Sequence, residues 1–500
     1  MNNQHIIVVG AGIGGLSAAV DLARRGLRVS VFERSKEPGG KMREVDVGGL
    51  PIDSGPTVFT MPWIFESLFS DAGARFSDRV AIRPAEVLAR HAWESGGTLD
   101  LFPDLSRSTA AIRELAGSDE AERYVKFSQH ARHVFETLYE PYILNRRPSP
   151  FSLATHSGWR GLARLWQIHP FETLWRRLGK TFQDPRLRGL FARYATYCGS
   201  SPLRAPATLM LIAHVERLGV WQIDGGMHRL AQALAQLIRD HGGSVHFNAP
   251  VRAITTQGGR ASGVDLESGE HVAADAVLTN GDIAGLQRGD LGPRTASALA
   301  RWRGSRRSLS AVTWSMTGET SGFDLSHHNV FFPASYPQEF RDIFDKDQLP
   351  EQPAVYICAQ DRTPGAERPA GAERLFMIAN APAFGDRKHL DAATLTGFEA
   401  AAFGLVERCG LRIDRQEGAC VTTTPSDFEA MFPGSGGAIY GAASHGWRSS
   451  FARPTARSRL RGLYLAGGSV HPGPGVPMVA VSGRLAAQTI ADDLGYESTR

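Results

Sequence analysis

Two glycine-rich stretches hold the residues whose types and spacing are best suited to chemistry. The first, "HIIVVGAGIGGLSAAVDLARRGLRVSVFE" (residues 5–33), contains a G-x-G-x-x-G spacing and ends in an acidic residue. The second, "LYLAGGSVHPGPGVPMVAVSGRLAAQTI" (residues 463–490), has a loop of small residues around a single histidine. Glycine lets the backbone approach a ligand closely, and free N–H groups at a helix start attract negative charge. We therefore expect the two stretches to bind opposite ends of one extended ligand.

The first stretch predicts a strand, a tight turn, a helix and a second strand, in that order. "HIIVVG" is a short apolar run typical of a buried parallel strand, and one face of the following helix is apolar. The second strand ends in Glu33, which would accept hydrogen bonds from an adenosine ribose and repel a 2′-phosphate. This order is the pattern of a Rossmann-type dinucleotide-binding fold. The residues of its turn are Gly10, Gly12, Gly14 and Gly15.

The residues after the second strand favour FAD over NAD. "EPGGKMREVDVGGLPIDSGPTVF" carries a glycine pair and then a compact turn of small residues. Here the sequence resembles the flavoprotein amine oxidase and carotenoid desaturase superfamily, in which the glycine pair lies along the FAD pyrophosphate. The second glycine is usually followed by arginine there, whereas this chain has lysine. The resemblance implies that FAD is contacted by Gly40, Lys41, Gly55, Pro56 and Thr57.

The C-terminal stretch predicts a strand, a glycine loop and a helix whose N–H groups point back into the loop. A helix N-terminus stabilises the negative charge that a reduced flavin ring carries near N1 and C2=O. We therefore expect the adenosine half of FAD at the first stretch and the flavin ring at the second. The residues expected at the ring end are Gly467, Gly468, Val476, Pro477 and Met478.

The middle of the chain predicts a cofactor domain that is interrupted twice. Residues 221–280 have the pattern of a helix, strands and a hairpin with Ser268-Gly269 at its turn, and the resemblance implies that Val251 meets the adenosine through its backbone. Helical patterns prevail in 61–215 and strand-like runs in 285–415. We expect an α/β, Rossmann-type FAD-binding domain of the amine oxidase/GDI superfamily, built from 1–60, 216–284 and 416–500. A mixed α+β substrate-binding domain, with a helical part facing a membrane, would comprise 61–215 and 285–415.

The C-terminal loop makes the resemblance more specific. "HPGPGVP" matches the H-P-G-x-G-[IV]-P signature of the bacterial-type phytoene desaturase (carotenoid/retinoid oxidoreductase) family, and "GPTV", "RLGVWQIDGGMHRL" and "ADAVLTNGD" extend the match along nearly the whole chain. Within that family, "GGKMR", "HHNVFF", "VYICAQDR" and "FARPTARS" are most similar to the 1-hydroxycarotenoid 3,4-desaturases of purple phototrophs, also called hydroxyneurosporene or methoxyneurosporene dehydrogenases. The resemblance implies an FAD-dependent desaturase that introduces a C-3,4 double bond into 1-hydroxy or 1-methoxy carotenoids during carotenoid biosynthesis.

The implied reaction needs few catalytic groups. A hydride leaves an allylic carbon for flavin N5 and a proton leaves the neighbouring carbon, while the polyene spreads the positive charge. No catalytic triad or metal-ligand spacing is visible, and we expect no metal site. His471, in the loop at the redox end, is the one candidate base, although it would serve equally well to order the loop. Candidates by residue type for pairing with the C1 oxygen of the substrate are His156, His327, His328 and Tyr440.

Three alternatives share parts of the pattern. A phytoene desaturase would use the same chemistry on another carotenoid. An amine oxidase would share the cofactor domain, but the aromatic cage of that class has no visible signature. A prenyl-binding carrier of the GDI type uses a related fold without flavin, and the intact glycine motif, Glu33 and the C-terminal loop argue against it.

Composition limits the classes of binding partner and the compartment in which the protein works. Hydrophobic residues make up 42% and charged residues 21%, which is ordinary for a globular chain, and a net charge of +4 without charge runs gives nucleic-acid binding little support. The four cysteines lack C-x-x-C spacing, which indicates a reducing compartment. The resemblance implies that the partners of the reaction are a hydrophobic C40 carotenoid and an electron acceptor, either oxygen or a quinone.

A segment with alternating tryptophans and arginines suggests contact with a membrane surface. "SGWRGLARLWQIHPFETLWRRLGK" (residues 157–180) suits a helix that lies in the bilayer interface, though ordinary packing in the substrate domain explains it equally well. No run approaches the ~20 apolar residues that a membrane-spanning helix requires, and the strand signal at His5 leaves no room for a signal peptide. We expect a cytoplasmic protein associated peripherally with the inner or photosynthetic membrane.

Overall fold

The computed structural model describes residues 4–149, 153, 167–299, 306–363, 369–416 and 418–496. Its strands are β1 (His5–Val9), β2 (Arg28–Phe32), β3 (Glu44–Val47), β4 (Leu50–Asp53), β5 (Ile82–Pro84), β6 (Ala89–Trp93), β7 (Thr98–Leu101), β8 (Trp221–Ile223), β9 (Ser244–His246), β10 (Val251–Gln257), β11 (Arg260–Leu266), β12 (His271–Ala273), β13 (Ala276–Thr279), β14 (Ser310–Gly322), β15 (His328–Phe332), β16 (Val355–Ala359), β17 (Glu373–Ala381), β18 (Leu411–Asp414), β19 (Cys420–Thr423) and β20 (Leu463–Leu465).

Its α-helices are α1 (Ile13–Ala23), α2 (Trp63–Asp71), α3 (Leu105–Ala116), α4 (Ser118–Leu138), α5 (Leu174–Thr181), α6 (Pro185–Ala192), α7 (Leu211–Leu218), α8 (His228–Asp240), α9 (Ile283–Arg288), α10 (Pro293–Ala296), α11 (Tyr336–Phe344), α12 (Ala392–Arg408), α13 (Pro425–Met431), α14 (Ser449–Ala452) and α15 (Val476–Asp493). A π-helical turn, Tyr139–Ile143, continues α4.

A five-stranded parallel sheet in the order β20-β13-β1-β2-β9 forms the first layer. Its central strand β1 is apolar throughout because both faces are covered. Ile6 and Val8 pack against α1, α8 and α15, whereas Ile7 faces the antiparallel sheet β10-β11-β12. This alternation follows from the two-residue period of a strand. The parallel sheet confirms the predicted α/β class, and β11 and β12 form the hairpin predicted around Ser268-Gly269.

Helices α1 and α15 cross at very short range. A Cβ at Gly483 would overlap the backbone oxygen of Gly14 and lie 3.0 Å from the backbone nitrogen of Ala18. Glycine at this crossing therefore lets α1 and α15, the first and last helices of the first layer, touch backbone to backbone. The contact brings the two glycine loops that precede these helices together.

An eight-stranded sheet forms the second layer. Its order is β18-β14-β17-β16-β15-β6-β7, and β19 also pairs with the long strand β14. Successive residues of β14 face opposite sides: Trp314 packs against Phe398 of α12, whereas Thr313 faces a large cavity. The hairpin β6–β7 lies in a segment for which the sequence predicted mainly helices. Its strands are short and gain their stability by pairing with β15, which is distant in sequence.

Helices α3 to α7 cover the cavity side of this sheet and pack into one apolar cluster with it. Among the described residues, no helix combines the length and the apolar character that crossing a bilayer requires. The predicted domain boundaries stay a prediction.

Candidate functional site

One cavity of about 1110 Å³ reaches from the parallel sheet to the eight-stranded sheet. At one end it is lined by the residues that follow β1, β2 and β13, together with the loop after β20. Ligands of open α/β sheets bind at the carboxyl ends of their strands, so this end has the expected place for a dinucleotide. At the other end the walls are apolar.

The N-terminal glycine loop contributes backbone to the cavity wall. Gly10 and Gly12 line the cavity, and the Gly10 N–H donates to the Phe32 carbonyl oxygen at 2.8 Å. Gly10 has a φ of +97°, which favours glycine. Gly14 and Gly15 are not among the lining residues, because Gly14 packs against the C-terminal loop and Gly15 against the Gly10 carbonyl. These two therefore set the shape of the turn rather than its cavity surface.

Glu33 lies directly after β2 and lines the same end of the cavity. Its carboxylate accepts hydrogen bonds from the backbone N–H of Ala11 at 2.6 Å and of Ser35 at 2.9 Å. A carboxylate has about four lone-pair positions, so two remain for a ligand. Val251, at the start of β10, lines the cavity close by in the fold, since the Ala249 N–H donates to the Glu33 carbonyl oxygen. The residue that positions the glycine loop is thus also available to a ribose.

The segment after β2 runs alongside the glycine loop. The Gly39 N–H donates to the Ala11 carbonyl oxygen at 2.8 Å, and Gly40, with a φ of +60°, lines the cavity. Lys41 donates from Nζ to the Ile439 carbonyl oxygen at 2.7 Å, and burial lowers the pKa of this amine against the opposing attraction of Asp282. Lysine at this position therefore ties the segment to the loop before α14.

The turn at Gly55, Pro56 and Thr57 also lines the cavity. A Cβ on Gly55 would overlap the Lys41 carbonyl oxygen, so the turn and the glycine-pair segment are in backbone contact. The Thr57 hydroxyl shares a hydrogen bond of 2.6 Å with the Tyr356 hydroxyl of β16. The turn thus joins the expected cofactor end to the eight-stranded sheet.

The C-terminal loop forms the facing wall. Gly467, Gly468, Val476, Pro477 and Met478 all line the cavity, so the first turn of α15 opens into it. Gly467 donates its backbone N–H to the Ser482 hydroxyl at 3.2 Å. This places a helix N-terminus at the cavity, opposite the glycine loop of α1.

Asn280 is a site residue that the sequence analysis missed. It follows β13, and its side chain fills the space between Gly12, Gly14 and Gly467: a Cβ on Gly14 would lie 2.6 Å from Asn280 Oδ1. That buried oxygen has no hydrogen-bond partner among the described residues, although Asn280 lines the cavity. A buried unpaired acceptor at this junction fits a ligand that donates to it. The signal was its place directly after the apolar run "AVLT".

Arg453 is a second missed residue. It lines the cavity and donates to the carbonyl oxygens of Gly468 and Ala442, each at 2.9 Å. Burial lowers the pKa of its guanidinium, with opposing contributions from Cys198, Tyr142 and Asp282. Its donors hold the glycine loop after β20 in place.

His471 does not line the cavity. It is buried, its ring packs edge-on against Tyr142 with centroids 5.0 Å apart, and its backbone N–H donates to the Pro454 carbonyl oxygen. Burial lowers the pKa of His471 to about 4, against the opposing effect of the backbone of Tyr142 and Asn145. The geometry gives this histidine a place behind the loop wall; its catalytic role stays a prediction.

The far end of the cavity is apolar on its helical side. The lining residues there come from α4, the π-helical turn, the segment before α5, the turn that leads into α7 and α7 itself: Phe135, Leu138, Ile143, Ile168, Phe171, Leu209, Leu211, Ile212 and Val215. Such a surface suits a hydrocarbon chain. Phe171 is 62% exposed, so this apolar wall continues to the protein surface.

A polar cluster interrupts the apolar walls. Arg193, Tyr197 and Glu216 line the cavity, and the Glu216 carboxylate accepts hydrogen bonds from the hydroxyls of Tyr194 and Tyr197. Burial raises the pKa of Glu216, while these hydrogen bonds and the Arg193 charge oppose the rise. The sequence did not predict this cluster.

The candidates for pairing with the C1 oxygen of the substrate do not lie together. His327 and His328 do not line the cavity: His327 Nδ1 is 3.1 Å from the Arg362 carbonyl oxygen, and His328 Nδ1 is 2.7 Å from the Tyr356 hydroxyl. With Cys358 they bring three potential metal-ligand atoms within 4.8 Å of one another, a grouping the sequence did not reveal. Tyr440 lines the cavity, and His156 falls outside the described residues.

The tryptophan–arginine segment is described only in part. Residues 154–166, which include Trp159 and Trp166, lie outside the described residues. Trp175 is in α5, where the Arg188 guanidinium lies 3.8 Å from its ring centre. The membrane-surface helix stays a prediction.

Comparison with known proteins identifies relatives that align with the entire chain. The family model for flavin-containing amine oxidoreductases matches residues 13–314. A hydroxyneurosporene desaturase of Rubrivivax gelatinosus is 49% identical over 100% of this chain and 95% of its own length. Another from Cereibacter sphaeroides is 42% identical over 99% and 98%, and a 4,4′-diapolycopene oxygenase of a Methylomonas species is 32% identical over 99% of both chains.

Solved structures show the same fold at lower identity. Putrescine oxidase bound to putrescine aligns with a TM-score of 0.61 at 16% identity over 99% of both chains. An oxidoreductase from Methanosarcina mazei aligns with a TM-score of 0.60 at 16% identity over 98% of this chain and 100% of the other. These structures confirm the predicted fold. The relatives found by sequence confirm the resemblance to carotenoid desaturases.

Proposed function

Because the chain belongs to the flavin-containing amine oxidoreductase family and matches hydroxyneurosporene desaturases over its full length, we propose that it is an FAD-dependent carotenoid desaturase that introduces the C-3,4 double bond into 1-hydroxy or 1-methoxy carotenoids such as hydroxyneurosporene. The observation that carries the proposal is that one continuous cavity joins two unlike ends. One end has the glycine loops and Glu33, and the other end is an apolar passage that reaches the surface.

Glu33 supports FAD as the flavin. Its carboxylate lies at the end of β2, where a ribose-binding acid stands in dinucleotide folds, and only a flavin with an adenosine half places a ribose there. Gly10, Gly12 and Val251 would surround the adenosine half and pyrophosphate, together with Gly40 and Lys41. Gly55, Pro56, Thr57 and the C-terminal loop, Gly467 to Met478, would hold the ring half.

Bound flavin supplies a hydride acceptor for the allylic carbon of the substrate. The chain's residues bind and orient the polyene so that this carbon faces the ring site, and the apolar walls exclude water from the charge that develops along the polyene. A proton leaves the neighbouring carbon, and because the conjugated system spreads the positive charge, a weak base is sufficient. Oxygen or a quinone would be the final acceptor of the electron pair.

The apolar passage supports a membrane-dissolved substrate. Phe171 is exposed, and its ring packs edge-on against Trp447 with centroids 5.3 Å apart. Aromatic rings at a protein surface are suited to the bilayer interface. A peripheral position on the inner or photosynthetic membrane would let the carotenoid enter this passage without crossing water.

The test uses the purified holoenzyme with carotenoids in liposomes. At equal loading, 1-hydroxyneurosporene should lose two hydrogens, seen as a red-shifted absorbance and the corresponding loss of mass, faster than phytoene is converted. Faster turnover of phytoene would contradict the substrate assignment and leave a phytoene desaturase. Purified protein without flavin absorbance would favour a GDI-type carrier instead.

The cofactor has its own test. We expect FAD to be bound non-covalently, so mild denaturation should release an intact flavin that chromatography identifies as FAD. Release of FMN would contradict the placement of an adenosine at Glu33, and flavin that stays with acid-precipitated chain would contradict non-covalent binding.

A further inference from the structure

The carotenoids proposed as substrates carry an oxygen at C1, only two carbon–carbon bonds from C3. A group that recognises this oxygen must therefore lie beside the reacting carbons. It must be near the ring site, the part of the cavity proposed to hold the flavin ring, and not at the far end of the passage. It must also be able to donate a hydrogen bond, because a methoxy oxygen accepts but cannot donate. An unpaired oxygen in an apolar passage would weaken binding.

Arg193 meets these conditions. It follows α6, lines the cavity, and its guanidinium carbon lies 5.4 Å from the ring centres of both Tyr197 and Tyr356. The Tyr356 hydroxyl is hydrogen-bonded to the Thr57 hydroxyl, so only the Tyr356 side chain separates Arg193 from the turn at the ring site. A guanidinium carries five N–H donors and no acceptor. The neighbouring Tyr197 hydroxyl cannot accept from all five, so donors remain for a ligand.

The cluster around Arg193 makes a cation tolerable at this place. Glu216 attracts the guanidinium and is itself held by the hydroxyls of Tyr194 and Tyr197. The positive charge is therefore compensated inside the protein, which limits its repulsion of the positive charge that develops on the polyene. The rings of Tyr197 and Tyr356 lie within cation–π distance of the guanidinium, which further favours its charged form at this place.

We propose that the guanidinium of Arg193 donates a hydrogen bond to the C1 oxygen of the carotenoid and so selects hydroxylated and methoxylated end groups. The inference rests on the proposed desaturase function and names the residue that sets its specificity. Glu216, Tyr194 and Tyr197 act as positioning residues for Arg193. An end group without the oxygen leaves a buried guanidinium without its ligand, and such sites discriminate strongly.

The experiment compares 1-hydroxyneurosporene with neurosporene, which lacks the oxygen, at equal loading in liposomes. The measured quantity is the ratio of kcat/KM for the two substrates, with flavin content recorded for every variant. Arg193→Met should lower this ratio about ten- to a hundredfold, mainly through the hydroxylated substrate, with flavin content unchanged. Arg193→Lys should restore part of the ratio because it returns a charged donor.

Two matched variants separate this proposal from others. Arg188→Met replaces another arginine by methionine, this time within α6. Arg188 packs on Trp175 and does not line the cavity, so this variant should keep the wild-type ratio of kcat/KM values. Thr313→Val removes a buried hydroxyl on the cavity wall that has no hydrogen-bond partner among the described residues. A collapse of the ratio in Thr313→Val but not in Arg193→Met would overturn the proposal.

The outcomes also distinguish the two levels of inference. Wild-type protein that converts neither carotenoid would overturn the proposed function and, with it, the role of Arg193. Wild-type protein that prefers 1-hydroxyneurosporene, together with an Arg193→Met variant of unchanged ratio, would overturn the role of Arg193 alone. If Arg193→Met fails to retain flavin, Arg193→Gln takes its place and must lower the ratio, since its amide is shorter and uncharged.

Discussion

Replacement of Glu33 by glutamine or alanine tests the adenosine end of the site. The Glu33 carboxylate accepts N–H donors from Ala11 and Ser35 and has about two lone-pair positions left for a ribose. Hydrogen bonds to a charged group contribute about 1.5–3 kcal/mol each, so the loss of one weakens FAD binding roughly ten- to a hundredfold. Glutamine keeps one acceptor and an uncharged amide, so its effect should be near tenfold; alanine should approach a hundredfold.

The two substitutions differ in their effect on the fold. Alanine leaves the buried Ala11 N–H without its partner, which costs about 1–3 kcal/mol of the free energy of unfolding. Glutamine can still accept from Ala11, while the Ser35 N–H, on an exposed residue, can turn to water. The hydrogen bond from the Ala11 N–H to the Glu33 carboxylate, which makes the two variants differ in stability, is visible only in the structure.

The assay is titration of flavin-free protein with FAD, followed by flavin fluorescence quenching, together with urea unfolding of the same samples. Glu37→Gln, a neighbouring acidic residue that is about half exposed, is the matched control and should leave both quantities unchanged. Unchanged FAD affinity in both Glu33 variants would refute the placement of the ribose at this carboxylate.

Three further expectations concern packing, pH and the C-terminal loop. Gly483→Ala should destabilise the protein by several kcal/mol, as overpacking does, because the added Cβ would overlap the Gly14 carbonyl. The control Gly397→Ala, in α12 with open space around the added Cβ, should stabilise the protein by about 0.5–1 kcal/mol. Equal urea midpoints for the two variants would contradict the close crossing of α1 and α15. Burial lowers the pKa of His91 to about 4, below about 6.5 in the unfolded chain, so its contribution to stability is present above pH 6.5 and is lost as pH falls towards 4. Unfolding at pH 7 and pH 5 should show a fall in stability that is about 2 kcal/mol smaller in His91→Gln, and an equal fall in both proteins would show that His91 is not the titrating group. Arg453→Met should weaken flavin binding about tenfold with unchanged far-UV circular dichroism, since two charge-assisted hydrogen bonds to loop carbonyls are lost; wild-type affinity would contradict that role.

The sequence by itself determined the cofactor layer, because its signals are local. The apolar strand, the glycine spacing, the helix and Glu33 follow one another within thirty residues, and each has a short-range physical cause in burial, backbone freedom or hydrogen bonding. The same holds for the hairpin at Ser268-Gly269 and for the C-terminal loop that opens into α15. The motifs also revealed the family, which the relatives along the whole chain confirm.

Only the tertiary structure decided which side chains share the cavity. Arg193 and Glu216 lie on either side of the segment between α6 and α7, Tyr356 lies in the distant strand β16, and no spacing rule connects the three. Asn280 fills a gap between two glycine loops that the crossing of α1 and α15 brings together. His471 has the residue type of a base and a place in the right loop, yet its ring packs behind the wall. Periodicity predicts the face on which a residue lies, whereas its neighbours across that face are set by long-range packing.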